Sequence, residues 1–315
     1  MQLPDNTPIR VLYIAGFGRS GSTLLGAMLG KLPGTAYLGE LERIWLKGVI
    51  QNDHCGCRKE FHNCGLWRQI FGQAFGGMSS QDGQEMLGLF RSDLRTRHLP
   101  GMLLDGRSRK RSAGRHRLED RLLSLYRSIR ETMQARLIVD SSKSPIYGRL
   151  LNNMPGIALK VVHLVRDPRA VVHSWQRRKL DPLTAAERMR LRPAKAVEMW
   201  LGWNLAAEAM TRGRPRPEAY LRLRYEDFLE DPQAALHRVL AFAGMEAEQL
   251  PLLGPREVEL GENHILAGSF LRFDRGRVRL EADEEWRTAM PIHTKLFVSL
   301  LTGPMLGRYG YPAYG

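Results

Sequence analysis

The strongest constraint in this chain is an apolar run that ends in a glycine loop. Residues 11–15, Val-Leu-Tyr-Ile-Ala, have the composition of a buried strand. The run breaks at Gly16, Gly18 and Gly21 follow, and residues 22–29 read as a helix of small and apolar residues. Strand, glycine loop and helix in that order build a phosphate cradle. The glycines let backbone N–H groups turn inward, and the new helix presents its positive end to an anion. A nucleoside-triphosphate loop has the pattern G-x-x-x-x-G-K-[ST]. Gly16 and Gly21 keep that spacing, but Ser22 stands in the lysine position with Thr23 after it, and Arg19 is the loop's one cation. The loop suits a phosphate group and suits ATP with Mg²⁺ poorly.

Further strands follow, each with polar residues at its end. Residues 36–38 form a short second strand, with Glu40 and Glu42 just beyond it. In open α/β sheets ligands bind outside the carboxyl ends of strands, so these carboxylates are candidate general bases. The competing reading places them as acidic residues at the positive end of a helix. The strand 136–140 runs into Asp140-Ser141-Ser142-Lys143-Ser144-Pro145. Asp140 or a serine caps a helix with Pro145 at its first position, which leaves Lys143 to reach a phosphate or sulfate. The strand 158–165 runs into Arg166-Asp167-Pro168-Arg169 and a helix over 170–179, with Asp167 as cap and Ser174 two turns in. The strand 220–224 is followed by Tyr225-Glu226-Asp227-Phe228 and a helix over 232–243, capped by Asp231 and closed at Gly244. Apolar strands alternating with helices predict an α/β fold, a central parallel sheet covered by helices on both faces.

The remaining segments carry less. Residues 69–133 read as an insertion with helices over 82–97 and 118–133, joined by a basic stretch, 106–117, that reads as a solvated loop. A helix over 194–211 brings Trp200 and Trp203 to the core or to a substrate wall, and 213–218 is a linker. Residues 263–279 are irregular and basic, and two short helices near Asp283 and His293 finish the chain. The net charge of +14 favours an anionic ligand: a nucleotide, a sulfated or phosphorylated glycan, nucleic acid or a membrane surface. Arginine is scattered along the chain, which fits a generally basic surface. No segment is long and apolar enough to span a bilayer, residues 1–10 lack a signal-peptide pattern, and a cytoplasmic protein is expected. Three cysteines within ten residues do not make a disulfide framework. His54, Cys55, Cys57, His62 and Cys64 allow a zinc site at the non-standard spacing C-x-C-x₆-C, a local disulfide, or structural thiols.

Taken together, the motifs resemble those of a known family. Gly18-Arg19-Ser20-Gly21-Ser22-Thr23-Leu24 looks like the 5′-phosphosulfate loop of sulfotransferases that use 3′-phosphoadenosine 5′-phosphosulfate (PAPS). HLVRDPRAVVHSW, residues 163–175, looks like their 3′-phosphate motif, with Arg166 and Ser174 at the family's spacing. LRYEDFLEDP, residues 223–232, is similar to a third segment whose tyrosine, here Tyr225, lies near the adenine. The RDPRAV wording is closest to the Golgi carbohydrate sulfotransferases, and the cysteine cluster resembles bacterial members. Cytosolic aryl sulfotransferases instead carry Lys at the position of Arg19 and a catalytic His that has no clear match here.

The resemblance implies a P-loop-like sulfotransferase fold over residues 1–315 as one domain, with the insertion 69–133 on the acceptor side. It implies PAPS as donor, 3′-phosphoadenosine 5′-phosphate (PAP) as product, a small-molecule or glycan hydroxyl as acceptor, and no required metal. Gly18, Arg19, Ser20, Gly21, Ser22, Thr23, Leu24, Arg166, Ser174, Tyr225 and Arg272 would bind the donor. Arg19, Lys143 and Glu40 (or Glu42 by a shift of register) would be catalytic. Arg19 is a planar fork suited to the leaving phosphate, and a glutamate would take the acceptor's proton. The alternatives are an atypical P-loop kinase, which needs Mg²⁺ and a Walker-type Asp, and a basic polyanion-binding module built on residues 106–117. Sugar, phenol, lipid-headgroup and natural-product acceptors all stay open at this point.

Overall fold

A computed structural model describes residues 7–94, 112–187, 189–210 and 219–313. Five parallel strands form one sheet in the order β2-β3-β1-β4-β5. They are β1 (Ile9–Ala15), β2 (Thr35–Tyr37), β3 (Leu137–Lys143), β4 (Ile157–Val165) and β5 (Tyr220–Arg224). The α/β expectation therefore holds. β1 sits in the middle, paired with β3 on one side and β4 on the other. Its side chains alternate between two cores: Val11, Tyr13 and Ala15 face one, Leu12 and Ile14 the other. That period of two is why a strand covered on both faces reads as a continuous apolar run. Connections leave β1 in opposite directions, so its carboxyl end is the switch point where a crevice opens.

The helix caps follow the chemistry read from the sequence. Asp167 accepts from the Arg169 N–H and Pro168 starts the helix Pro168–Gln176. Asp231 accepts from the Ala234 N–H, and Gly244 closes the helix Pro232–Ala243 in a left-handed conformation. At the end of β3 it is Ser144 that caps the helix Pro145–Asn153, accepting from the Tyr147 N–H.

Three expectations change. The second helix of the insertion begins at Ala113, capped by Ser112, so residues 113–117 of the basic stretch are helical rather than loop. Internal partners explain this: Arg115 pairs with Glu119 at 2.7 Å and Arg117 pairs with Glu85. Residues 106–111 and 213–218 lie outside the described residues. The last helix is not short: Ile292–Tyr309 runs 18 residues and contains Pro304, which reads in sequence as a breaker. Finally, residues 263–279 are not wholly irregular, because Gly276–Arg279 joins Leu252–Gly254 and Glu257–Leu260 in a small antiparallel sheet. Among the described residues, no helix is long and apolar enough to cross a membrane.

Candidate active site

The loop after β1 lies across the sheet's switch point. It enters the helix α1 (Ser22–Leu29) through Gly21, which is left-handed at φ 84°. No side chain caps α1 and no acidic residue occupies its first turn. Its leading N–H groups and positive end are thus left for an anion. Arg19 is also left-handed, at φ 75°, a strained state for a side-chain-bearing residue that clusters at functional sites.

Three side chains from other elements close on this loop. Trp175, next to Ser174, stacks on Phe17 at 5.7 Å between ring centroids and carries the Arg19 guanidinium 4.7 Å from its ring centre. Tyr225 packs so tightly on Gly21 that a Cβ there would come within 2.3 Å of its Cε2. Arg166 lies with its guanidinium 4.7 Å from the Tyr225 ring centre and donates from Nη1 to the Arg19 carbonyl at 3.0 Å. Its Nη2 donates to the Asp283 carbonyl at 3.1 Å. Ser174 is buried on the same helix as Trp175. The three sequence motifs, far apart in the chain, meet around one loop.

A second group of residues lies on the β3 side. β3 carries an irregularity opposite β1: Tyr13 pairs with Asp140, but Ala15 pairs with Lys143. The extra residue re-aims the strand end, as bulges beside active sites do, and leaves Lys143 at φ 66°. Its Nζ donates to Glu40 Oε1 at 2.5 Å and to the Ser141 carbonyl at 2.8 Å. Glu40 is buried, and its other oxygen meets Arg43 Nε at 3.1 Å. The Glu40 N–H donates to the Leu266 carbonyl at 3.3 Å, so a segment from late in the chain fixes it.

That late segment also reaches α1. The Ser269 N–H donates to Thr23 Oγ1 at 3.1 Å, and the Ser269 carbonyl accepts from Arg272 Nη1 at 3.2 Å. Gly268, at φ 92°, fits between the two groups: a Cβ there would lie 2.9 Å from Thr23 Oγ1 and 3.4 Å from Glu40 Oε1. Glu40 therefore abuts the glycine loop and α1 through Gly268. Arg272 is buried against the Phe273 ring, 4.2 Å from its centre, and is anchored to Thr23 through Ser269.

Glu42 occupies a different place. Its N–H donates to Ser142 Oγ at 3.0 Å. Burial pushes its carboxyl up to about 7, with Arg43 opposing the shift and Asp140 adding to it. Asp140 itself is wholly buried and accepts from Tyr126, Ser142 Oγ and the Ser142 N–H. Burial pushes it up to about 6, against those hydrogen bonds.

Residues 12–249 match the family model described as "Sulfotransferase family". The chain belongs to the sulfotransferase family. This sulfotransferase is 28% identical over 173 residues to mouse carbohydrate sulfotransferase 3 and 29% identical over 175 residues to the human protein of that name. Each match takes in 50% of this chain and 34% of the relative, so the chain spans about a third of the length of these curated relatives. In fold it is similar to the sulfotransferase domain from the curacin biosynthetic pathway, with a TM-score of 0.53 and 18% identity over 98% of this chain and 99% of that one. The central parallel sheet flanked by helices is thus a P-loop-like sulfotransferase fold.

Several residues of the site were not singled out from sequence. Trp175 stands beside Ser174 in the quoted motif, so its position was in view but its contact with Arg19 was not. Gly268 and Ser269 lie in a stretch that offers no periodicity, and only the Ala267-Gly268 pair of left-handed residues marks a designed turn. The cysteines gather with an unexpected partner. His62 contacts the Val49 carbonyl through Nε2 at 3.1 Å, and His54 lies in a bridge with Glu60. It is His264, two hundred residues on, that reaches Cys64.

Proposed function

We propose that this sulfotransferase moves a sulfuryl group from PAPS to a hydroxyl of a small-molecule or glycan acceptor. The observation that carries this reading is the contact of Arg166 with both the Arg19 carbonyl and the Tyr225 ring. It joins the glycine loop, the segment 163–175 and Tyr225 in one crevice, which supports reading them as one donor site. The loop suits a single phosphate rather than a triphosphate, since its helix end is uncapped, Ser22 stands where a kinase has its lysine, and its cation is Arg19.

Each residue has a role in this reading. Backbone N–H groups of residues 20–24, with the Ser22 and Thr23 hydroxyls, would hold the 5′-phosphate. Arg166 and Ser174 would hold the 3′-phosphate, and Tyr225 would border the base. PAPS supplies an activated sulfuryl group whose departure leaves negative charge on a phosphate oxygen. Arg19, fixed over Trp175, would hold that oxygen, a preorganised charge rather than a mobile one. Glu40 would take the acceptor proton. Lys143 pairs with its carboxylate and adds a second cation, at the end of β3. Arg272 would extend the basic wall from the late segment. The curated relatives are named carbohydrate sulfotransferases, and that name supports a sugar hydroxyl as the first acceptor class to try.

The test is transfer of ³⁵S from labelled PAPS to a panel of sugars, phenols and alcohols, beside PAP and Mg²⁺·ATP as stabilising ligands. Label transfer with stabilisation by PAP is expected. Stabilisation by Mg²⁺·ATP alone, with phosphate transfer, would make the chain a kinase instead.

A further inference from the structure

Outside the crevice, the sulfurs of Cys55, Cys57 and Cys64 and a ring nitrogen of His264 all lie within 4.8 Å of one another. We propose that these four side chains hold a structural zinc ion that anchors the late segment against the catalytic strand end. The inference stands apart from the donor and acceptor readings above.

The geometry is that of a metal cage. His264 Nδ1 lies 3.2 Å from Cys64 Sγ and 3.8 Å from Cys55 Sγ. With Zn–S near 2.3 Å and Zn–N near 2.0–2.1 Å, neighbouring ligands of a tetrahedral zinc stand about 3.6–3.8 Å apart. Three thiolates and one imidazole are a set that structural zinc sites use, and they fill all four positions. The ion therefore has no open position for chemistry, and its role is structural.

The backbone is shaped to bring the ligands in. The Cys55 N–H donates to the Lys59 carbonyl at 2.9 Å and the Arg58 N–H to the Cys55 carbonyl at 2.8 Å, with Arg58 at φ 66°. That tight turn returns the chain on itself and carries Cys55 and Cys57. Cys64 follows as the N-cap of the helix Gly65–Phe75, where the helix dipole favours an anionic sulfur. His264 is held by its carbonyl, which accepts from Trp67 Nε1 at 3.2 Å. The Gly56 N–H donates to the Ile265 carbonyl at 2.9 Å, and a Cβ on Gly56 would come within 1.9 Å of Asn263 Oδ1. A glycine is required there for the two segments to approach. Cys55 and Cys64 are fully buried, whereas Cys57 and His264 are partly exposed and leave a route for the ion.

A disulfide accounts for less. It would use two sulfurs and give no reason for a third sulfur and an imidazole from a distant segment to converge on them. All three cysteines are free.

The zinc would act on the active site through two residues of chain. Just after His264, the Leu266 N–H donates to the Leu38 carbonyl at 2.9 Å and the Leu266 carbonyl accepts from Glu40. Gly268 then fits between Thr23 and Glu40, and Ser269 binds Thr23. The metal thus staples residues 55–64 to 264–269 and sets the floor beneath Glu40.

The experiment is metal analysis of the full chain purified under reducing conditions without added chelator. About one zinc per chain is expected, with a lower melting temperature after chelation that added zinc restores. Replacement by Co²⁺ should give the intense sulfur-to-metal absorption and visible bands of a tetrahedral thiolate site. The bands should weaken in the Cys57→Ser variant, which changes a partly exposed ligand, and in His264→Ala. If these variants do not fold, the wild-type cobalt spectrum decides by itself. A chain that contains no stoichiometric metal, gives no cobalt bands and keeps its melting temperature in chelator overturns the proposal. So does a native mass two hydrogens short, with a disulfide mapped to Cys55 or Cys64.

Discussion

Lys143 Nζ lies 2.5 Å from Glu40 Oε1, and the two residues reach each other from different strand ends of the same sheet. Glu40 follows β2, and Lys143 ends β3 in a left-handed conformation set by the irregular pairing of β3 with β1. The pair is mostly buried, with 13% of the Lys143 side chain and 7% of the Glu40 side chain exposed. Removing one partner of a buried pair leaves an uncompensated charge. In the proposed mechanism the contact fixes where the Glu40 carboxylate sits.

Glu40→Gln keeps the shape of the side chain and removes its basicity. Turnover should fall by about 10²–10⁴-fold, the usual range for a general base, while PAP affinity stays within a few-fold of wild type. Single-turnover rates beside PAP titrations check this. Unchanged turnover would exclude Glu40 as the base.

Glu42 separates the two carboxylates by pH. Its carboxyl is pushed up to about 7 by burial, above an unfolded value of about 4.3. The folded state therefore holds a proton that the unfolded state has lost across that window. By linkage, Glu42's contribution to stability is fully present below the unfolded value and falls as pH rises to about 7. Asp140 shifts in the same direction and the buried His163 in the opposite one, so the comparison must be between variants. The melting temperature of Glu42→Gln relative to wild type should climb from pH 4.5 to pH 7 and level off above. A difference that is flat with pH would contradict the assignment.

Gly268→Ala tests the contact between the late segment and the two catalytic elements. Its Cβ would press on Thr23 Oγ1 at 2.9 Å from a left-handed backbone. Strain of this kind costs about 1–3 kcal/mol, so turnover should drop at least several-fold, with some loss of stability. Normal turnover would show that Gly268 does not set the position of Glu40.

Gly21→Ala places a Cβ against Tyr225 and strains a left-handed residue at the start of α1. PAP affinity should weaken by roughly tenfold or more. Tyr225→Ala in the same background should relieve the clash and recover melting temperature in part, while PAP affinity stays low because Tyr225 is proposed to border the base. Full affinity in Gly21→Ala would separate Tyr225 from the loop.

The fold was legible because its signals are local. Apolar runs marked four of the five sheet strands, and Asp167-Pro168 and Asp231 with Gly244 marked helix ends by capping chemistry. Arg19, Arg166 and Tyr225 were singled out because the motifs that carry them resemble those of a known family, and each follows a sheet strand, so the topology brings them together. What escaped depends on pairing between segments. The Glu40–Lys143 contact needs a bulge in β3 that no residue type announces. Gly268 and His264 lie in an aperiodic stretch, and their partners are two hundred or more residues away. His54 and His62 were nearer to the cysteines in sequence, but neither joins their sulfurs. Pro304 concealed a long helix because a proline within a helix reads as its end.

The most direct test of the central claim is a calorimetric titration of the purified protein with PAP, repeated on Arg166→Ala. The account predicts one PAP site per chain, weakened on the order of a hundredfold in the variant, because the buried arginine proposed to hold the 3′-phosphate is lost. Equal PAP affinity in both proteins, or binding of Mg²⁺·ATP but not PAP by the wild type, would contradict it.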